Sequence, residues 1–398
     1  MSRTTRRTAL ALAWMLPATV PAQQKLVGGW ELSVTPTSDR FTFGTPLTQP
    51  VTSDGGGVIR SVQQLSAPVR VHGSLGSSWA LDVSTAFARS SVDGTRGTSD
   101  VTRELSGLAD IRVRATGQLV RDRVLLSIGA NIPTGRTELD AEELAVARAV
   151  GSPALGMSVP VLGLGGGASA GLVLAQPVAD GRWALAGGVS YEYRASFSPV
   201  AVGTGLVAPD FSPSGVVRVS AGLDGLVGEH AMTINVGADV FADDRLAFGN
   251  SGGAEITSRL GPVLSFDWEL RPATTRLRDV AFFVSDRYRT AFSRGGTTVA
   301  NSAGNYLDAG ARVGFPVATR GTLLVTVSAR LQSGLDFEAT LPTAAARLGV
   351  LDVRYAWRSA GGASLAPFVR LQAGTIEQGT QSTSATGLSL GLSLGALR

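Results

Sequence analysis

Two overlapping pentapeptides near the C-terminus, Gly387-Leu388-Ser389-Leu390-Gly391 and Gly391-Leu392-Ser393-Leu394-Gly395, match the pattern that presents a nucleophilic serine in hydrolases. That chemistry needs a sharp strand-to-helix turn and a histidine further along the chain. Here the leucines alternate evenly with small residues and no histidine follows. The chain has only two histidines, His72 and His230, and no cysteine. Thiolate zinc sites, iron–sulfur ligation, disulfides and cysteine nucleophiles are therefore excluded. Gly163 to Gly171 lacks the lysine and helix of a phosphate-binding loop. No catalytic residue, metal site or cofactor is expected, and the chain does not read as an enzyme.

What remains are charged side chains spaced by two, as in Asp110, Arg112 and Arg114. Strict alternation puts one set of side chains on each face of a strand. Trp79, Leu81, Val83 and Phe87 alternate with Ala80, Asp82 and Ser84, and the same rhythm runs through Val124 to Ile132, Met232 to Val240 and Leu323 to Leu331. The polar face carries a balanced ladder of Arg112, Arg114, Arg218, Arg259, Arg312 and Arg354 with Asp110, Asp224, Asp239, Asp267, Asp308 and Asp352. A strongly ion-selective pore would show one sign of charge. Balance predicts cross-strand ion pairs bracing a wet wall.

Runs of this kind predict about sixteen strands, with short connections such as Gly76-Ser77-Ser78 and Arg121-Asp122-Arg123 alternating with longer ones at 35–62, 89–106, 133–160, 198–213 and 242–253. The fold class expected is all-β: a transmembrane antiparallel up-and-down β-barrel with short periplasmic turns and long extracellular loops. A soluble β-sandwich also alternates, but two features oppose it. Trp79 and Trp183 open strands while Trp268 and Trp357 close them, which places all four at the short-turn end as a membrane girdle. The polar face is also too charged for a sandwich core. The charge-free stretch Ala149 to Ala179 is long enough for a membrane helix, yet five glycines within nine positions favour a strand over 161–177.

Residues 1–22 read as a signal peptide: Arg3, Arg6 and Arg7, an apolar stretch from Ala9 to Leu16, then small residues around Val20-Pro21-Ala22. Removing those three arginines brings the 35 bases to within one of the 31 acids, which leaves no footprint for nucleic acid. The expected layout is 1–22 signal peptide and 23–398 outer-membrane barrel domain.

Gly107-Leu108-Ala109-Asp110, a strand, a short turn and a second strand from Val124 ending in Pro133-Thr134-Gly135 resemble the hallmark hairpin of the phenol meta-cleavage-pathway (MetA-pathway) outer-membrane family. That family is grouped with the fatty-acid-transporter-like, porin-like outer-membrane barrels. Ala109 stands where the family has a second glycine, the first strand is expected too close to the cleavage site to leave room for an N-terminal plug, and the chain ends in Leu397-Arg398 where such barrels end in an aromatic residue. The resemblance implies a porin-like carrier of hydrophobic compounds.

The function expected is passive uptake of small, hydrophobic molecules across the bacterial outer membrane. A general diffusion porin and a closed structural or adhesive barrel are the alternatives. Partners would be outer-membrane lipid, the small-molecule solute and the barrel-assembly machinery. Apolar residues on the polar face, Val263, Phe283, Leu324, Leu348, Val350 and Phe368, form a candidate solute patch or pack against an inward loop. In loop 133–160, Thr137 and Asp140 read as a capping box opening a helix through Glu142, Glu143, Leu144, Ala147 and Arg148. That loop would either constrict the mouth or cover the rim.

Overall fold

The computed structural model describes residues 29–397 apart from 49–56, 180, 201–208, 248–254, 275–276, 278, 301, 335–343 and 380. The expected signal peptide lies outside the described residues. Sixteen strands form one closed antiparallel sheet. In chain order they are β1 (Trp30–Val34 continued by Thr37–Thr48), β2 (Gly57–Leu75), β3 (Trp79–Arg96), β4 (Ser99–Leu108 continued by Ile111–Val120), β5 (Val124–Ile132), β6 (Gly167–Val178), β7 (Trp183–Arg194) and β8 (Val216–Val227). They continue as β9 (His230–Phe241), β10 (Val263–Arg271), β11 (Asp279–Arg289), β12 (Gly304–Ala318), β13 (Gly321–Ser333), β14 (Ala344–Arg358), β15 (Ser364–Gln378) and β16 (Gln381–Leu397).

Each strand pairs with its neighbours in sequence, and β1 closes the ring on β16 with Val34 opposite Leu394 and Phe43 opposite Ala385. Closure leaves no edge, so every ladder group in the apolar layer finds a partner. The outer face carries a dense set of exposed large apolar side chains, among them Leu172, Leu174, Leu185, Val219, Val236, Leu264, Phe266, Val327 and Leu371. So large an apolar band is what a lipid-facing wall requires. No helix of the described residues is long and apolar enough to cross a membrane.

Two strands are interrupted, with different effects. At Thr35-Pro36 the register of β1 against β2 is unchanged, since Val34 faces Val69 and Thr37 faces Ser66. At Ala109-Asp110 one extra residue enters β4: Leu108 faces Phe87 while Arg112 faces Ser84. This bulge moves the inward positions from odd to even numbers, so Leu105 and Arg112 both face inward. It also turns Asp110 inward, where it is buried.

The loops expected at 35–62 and 89–106 are mostly strand. β2 has 19 residues and β3 has 18, whereas about 9–11 residues suffice to cross a bilayer. The first hairpins therefore rise well above the membrane as a tall wall. The stretch expected as strand at 161–177 begins its strand only at Gly167, and 254–270 divides into a rim strand Glu255–Arg259 and β10.

Many strand glycines are seats for aromatic rings on the neighbouring strand. Trp79 faces Gly117, Trp30 faces Gly73 and Trp183 faces Gly225. A Cβ at Gly117 would lie 2.4 Å from the Trp79 ring, too close for any real contact. On the inner face Phe41 covers Gly387 and Phe368 covers Gly391 in the same way. Crowding of this kind costs about 1–3 kcal/mol. Gly117→Val is expected to lower the temperature at which the barrel loses its heat-modifiable migration on denaturing gels. Gly187→Ala, whose Cβ would meet only the Ser220 carbonyl at 3.9 Å, is expected to leave it unchanged.

Candidate functional site

The link between β5 and β6 enters the barrel. It begins at Pro133-Thr134-Gly135 beside the β4 bulge, where the buried Asp110 carboxylate accepts from Gly135 N at 2.9 Å, Leu164 N at 2.7 Å and Asn131 Nδ2 at 2.9 Å. The Asp110 N–H donates to the Leu162 carbonyl at 2.9 Å. Both ends of the link are thus held by one side chain and its own peptide. Asp110 and Pro133-Thr134-Gly135, two parts of the hairpin singled out in the sequence, meet here.

Between these ends lies the helix α1 (Ala141–Val150). Its cap is Asp140 rather than Thr137: the Asp140 carboxylate accepts from Glu142 N and Glu143 N, and Glu143 reaches back to Asp140 N at 3.2 Å. Arg136 grips both oxygens of Glu143 at 2.6 and 2.8 Å, which fixes the box three residues later than Thr137 would place it. Acids in the first turn and Arg148 in the last suit the helix dipole. Val146 and Val150 are buried among inward residues of the tall wall, including Val62, Val92 and Leu105.

After Gly151 the chain runs as a strap across the inner face. The Ala154 carbonyl accepts from Arg330 on β13 and the Leu155 carbonyl from Gln372 on β15, both at 3.4 Å. Ser158 donates through its hydroxyl at 2.8 Å to Asp39 on β1. Gln64 on β2 then pairs with Val159 as a strand would, accepting from its N–H at 2.7 Å and donating to its carbonyl at 2.8 Å. Leu155, Met157, Val159 and Leu162 are buried with Phe41, Leu348, Ile376 and Ala385. Burial of each larger side chain contributes about 1.5–3 kcal/mol, while the glutamines satisfy peptide groups that would cost about 1–3 kcal/mol if stranded. Gly156 takes the positive φ of +60° where the strap turns against Arg330.

The charged ladder residues are distributed as follows. Arg218 bridges Glu192 at 2.7 Å and Asp239 at 3.3 Å, Arg312 meets Asp279 at 2.8 Å, Asp308 meets Arg330 at 3.5 Å and Asp352 meets Arg370 at 3.1 Å. Asp224 and Asp267 accept from the hydroxyls of Thr233 and Ser285. Arg354 lies over the Phe368 ring at 5.0 Å. Arg259 sits on the rim strand rather than in the wall, where its guanidinium beside Asp243 holds that carboxyl below the usual carboxylate range. Arg112 and Arg114 are exposed on β4.

Of the candidate solute patch, Leu348 lies under the strap, and Val350 and Phe368 are also buried. Val263, Phe283 and Leu324 stay half-buried on β10, β11 and β13. The girdle residues Trp79, Trp183, Trp268 and Trp357 lie at or near the short-turn ends of β3, β7, β10 and β14. His72 shares Asp82 with Arg70, and the His230 ring accepts from Ala273 N. Ser389 and Ser393 lie inside β16, away from any helix. Sequence reasoning missed Asp39, Gln64 and Gln372, which carry no local signal beyond falling on inward positions.

No family model matches the chain, and no curated protein matches it. Among solved structures it is similar to an outer-membrane channel from Pseudomonas putida F1, with 11% identity over 96% of this chain and 100% of that one and a TM-score of 0.42. It is also similar to a deletion mutant of the monoaromatic hydrocarbon channel TodX, at 9% identity, 93% and 90% coverage and a TM-score of 0.45. A third is OccK9 (OpdG) of Pseudomonas aeruginosa, at 10% identity, 94% and 99% coverage and a TM-score of 0.45.

Asp110→Ala removes the acceptor for three donors and is expected to free both ends of the strap. A loss of about 1.4 kcal/mol raises the open population tenfold. Trypsin cleavage after Arg148 in the detergent-solubilised barrel should accelerate at least to that degree. An unchanged cleavage rate would show that the strap is held elsewhere.

Proposed function

We propose that this barrel is a passive channel of the bacterial outer membrane that admits small, hydrophobic molecules, in keeping with the phenol meta-cleavage-pathway family it resembles. The observation that carries this reading is the strap. From Ala149 to Leu164 it contains no charged residue, and it lies across the inner face from β13 through β16 to β1, β2 and β4. A solute passing it meets a neutral surface with Pro153, Pro160 and Val161 exposed, not a ring of charges. Movement down a gradient requires no catalytic group. Residues 1–22 would direct export, the barrel-assembly machinery would insert the wall, and Trp79, Trp183, Trp268 and Trp357 would seat it at the inner interface of the lipid.

The polar, charged inner face of β7 to β12 supports the second reading, a water-filled general porin. Conductance and solute flux separate the readings. In planar bilayers the intact protein is expected to give small current steps while liposomes containing it take up an apolar tracer such as toluene. Large steps without tracer selectivity would favour the general porin, and neither current nor uptake the closed barrel. Deleting 138–150 is expected to raise the step size severalfold. Phe283→Ala and Leu324→Ala are expected to slow tracer uptake without changing the current. Unchanged uptake would make those residues structural only.

A further inference from the structure

Most cations of the inner wall are paired with acids. Among the described residues Arg70, Arg218, Arg312, Arg330 and Arg370 each have a carboxylate partner. Arg112 and Arg114 have none, although both are exposed and project on the inward face. Their cross-strand partners fix that face: Arg112 stands between Ser84 and Asn131, and Arg114 between Asp82 and Gly129.

The acid beside Arg114 is already committed. Both oxygens of Asp82 receive Arg70, through Nε at 2.6 Å and a terminal nitrogen at 2.7 Å, and one of them also receives His72 at 2.8 Å. Asp110, the next inward residue along β4, is used by the strap ends. The flanking inward positions are Ser84, Asn131 and Gly129, which offer no negative charge and, at Gly129, no side chain at all. The two arginines thus stand one inward position apart, their backbones about 7 Å from one another along the strand, immediately below the point where the strap is stapled. A guanidinium presents a planar fork of donors that matches a carboxylate.

We infer that Arg112 and Arg114 form a binding station for small organic carboxylates. The inference deepens the channel reading and rests on it for its role in transport: the solutes would carry an anionic group for β4 and an apolar body for the strap. Most other wall arginines are committed, to acids or, for Arg354, to the Phe368 ring, whereas here two inward arginines without an acid partner follow one another on one strand and can engage a passing anion together.

The test uses the full-length barrel in detergent and compares it with the Arg112→Ala/Arg114→Ala double variant, each first shown to be folded by heat-modifiable migration. Calorimetric titration with benzoate is expected to give saturable binding to the intact protein. The double variant loses two charge-assisted donor forks, so binding should weaken at least tenfold. Arg112→Lys/Arg114→Lys, which keeps the charge and loses the fork, should fall between. Absence of benzoate binding to the intact protein, or equal binding to both, overturns the proposal. Inorganic phosphate binding as tightly as benzoate overturns the assignment to carboxylates. The binding measurement does not depend on ion flow, so failure of the channel reading in bilayers would be seen separately.

Discussion

Within hydrocarbon a peptide N–H or C=O without a partner costs several kcal/mol, and the pairing of β1 with β16 is what keeps this sheet from having such a row. Once the ring is closed, most other features follow. Each strand is forced to present one face to lipid and one inward, side-chain type is sorted by parity, and inward residues from distant parts of the chain acquire fixed positions relative to one another. The strap depends on those positions, because its clamps come from Asp39, Gln64, Arg330 and Gln372 on four different strands.

Much of this architecture was legible in the sequence because the period of two and the tryptophans at strand ends are local signals. The strand count and the alternation of short and long connections followed from them. The tall hairpins were misread because their outer faces, with Arg40, Thr42, Arg89 and Glu104, are polar where lower turns of the wall are apolar. Above the bilayer there is no lipid to select leucine, so the outward signal vanishes while the inward one, Phe41 and Phe43 in β1, persists. Reading the inward face alone would have extended β1 to its true end.

The strap was beyond local reading for a different reason. Residues 149–166 are glycine-rich and charge-free, a composition equally suited to a strand. What distinguishes them is that Gln64 and Gln372 wait on the inner wall with amides free to pair with peptide groups. A glutamine on a strand is unremarkable until its partner is known. Asp110 lies between these cases: the motif joining it to Pro133-Thr134-Gly135 was visible, and its physical reason is that a one-residue bulge turns the carboxylate inward to receive Gly135 and Leu164.

The strap contacts also join parts of the chain that are far apart in sequence. Gln372 is 217 residues from Leu155, and Arg330 is 176 from Ala154. Two of the four side chains that clamp the strap, Arg330 and Gln372, come from the last quarter of the chain, so the strap is fully clamped only when those strands have joined the wall. Until then its apolar side chains lie against an incomplete cylinder. Seating of the strap is therefore a record that the cylinder has closed, and the passage acquires its final bore only as the finished barrel does.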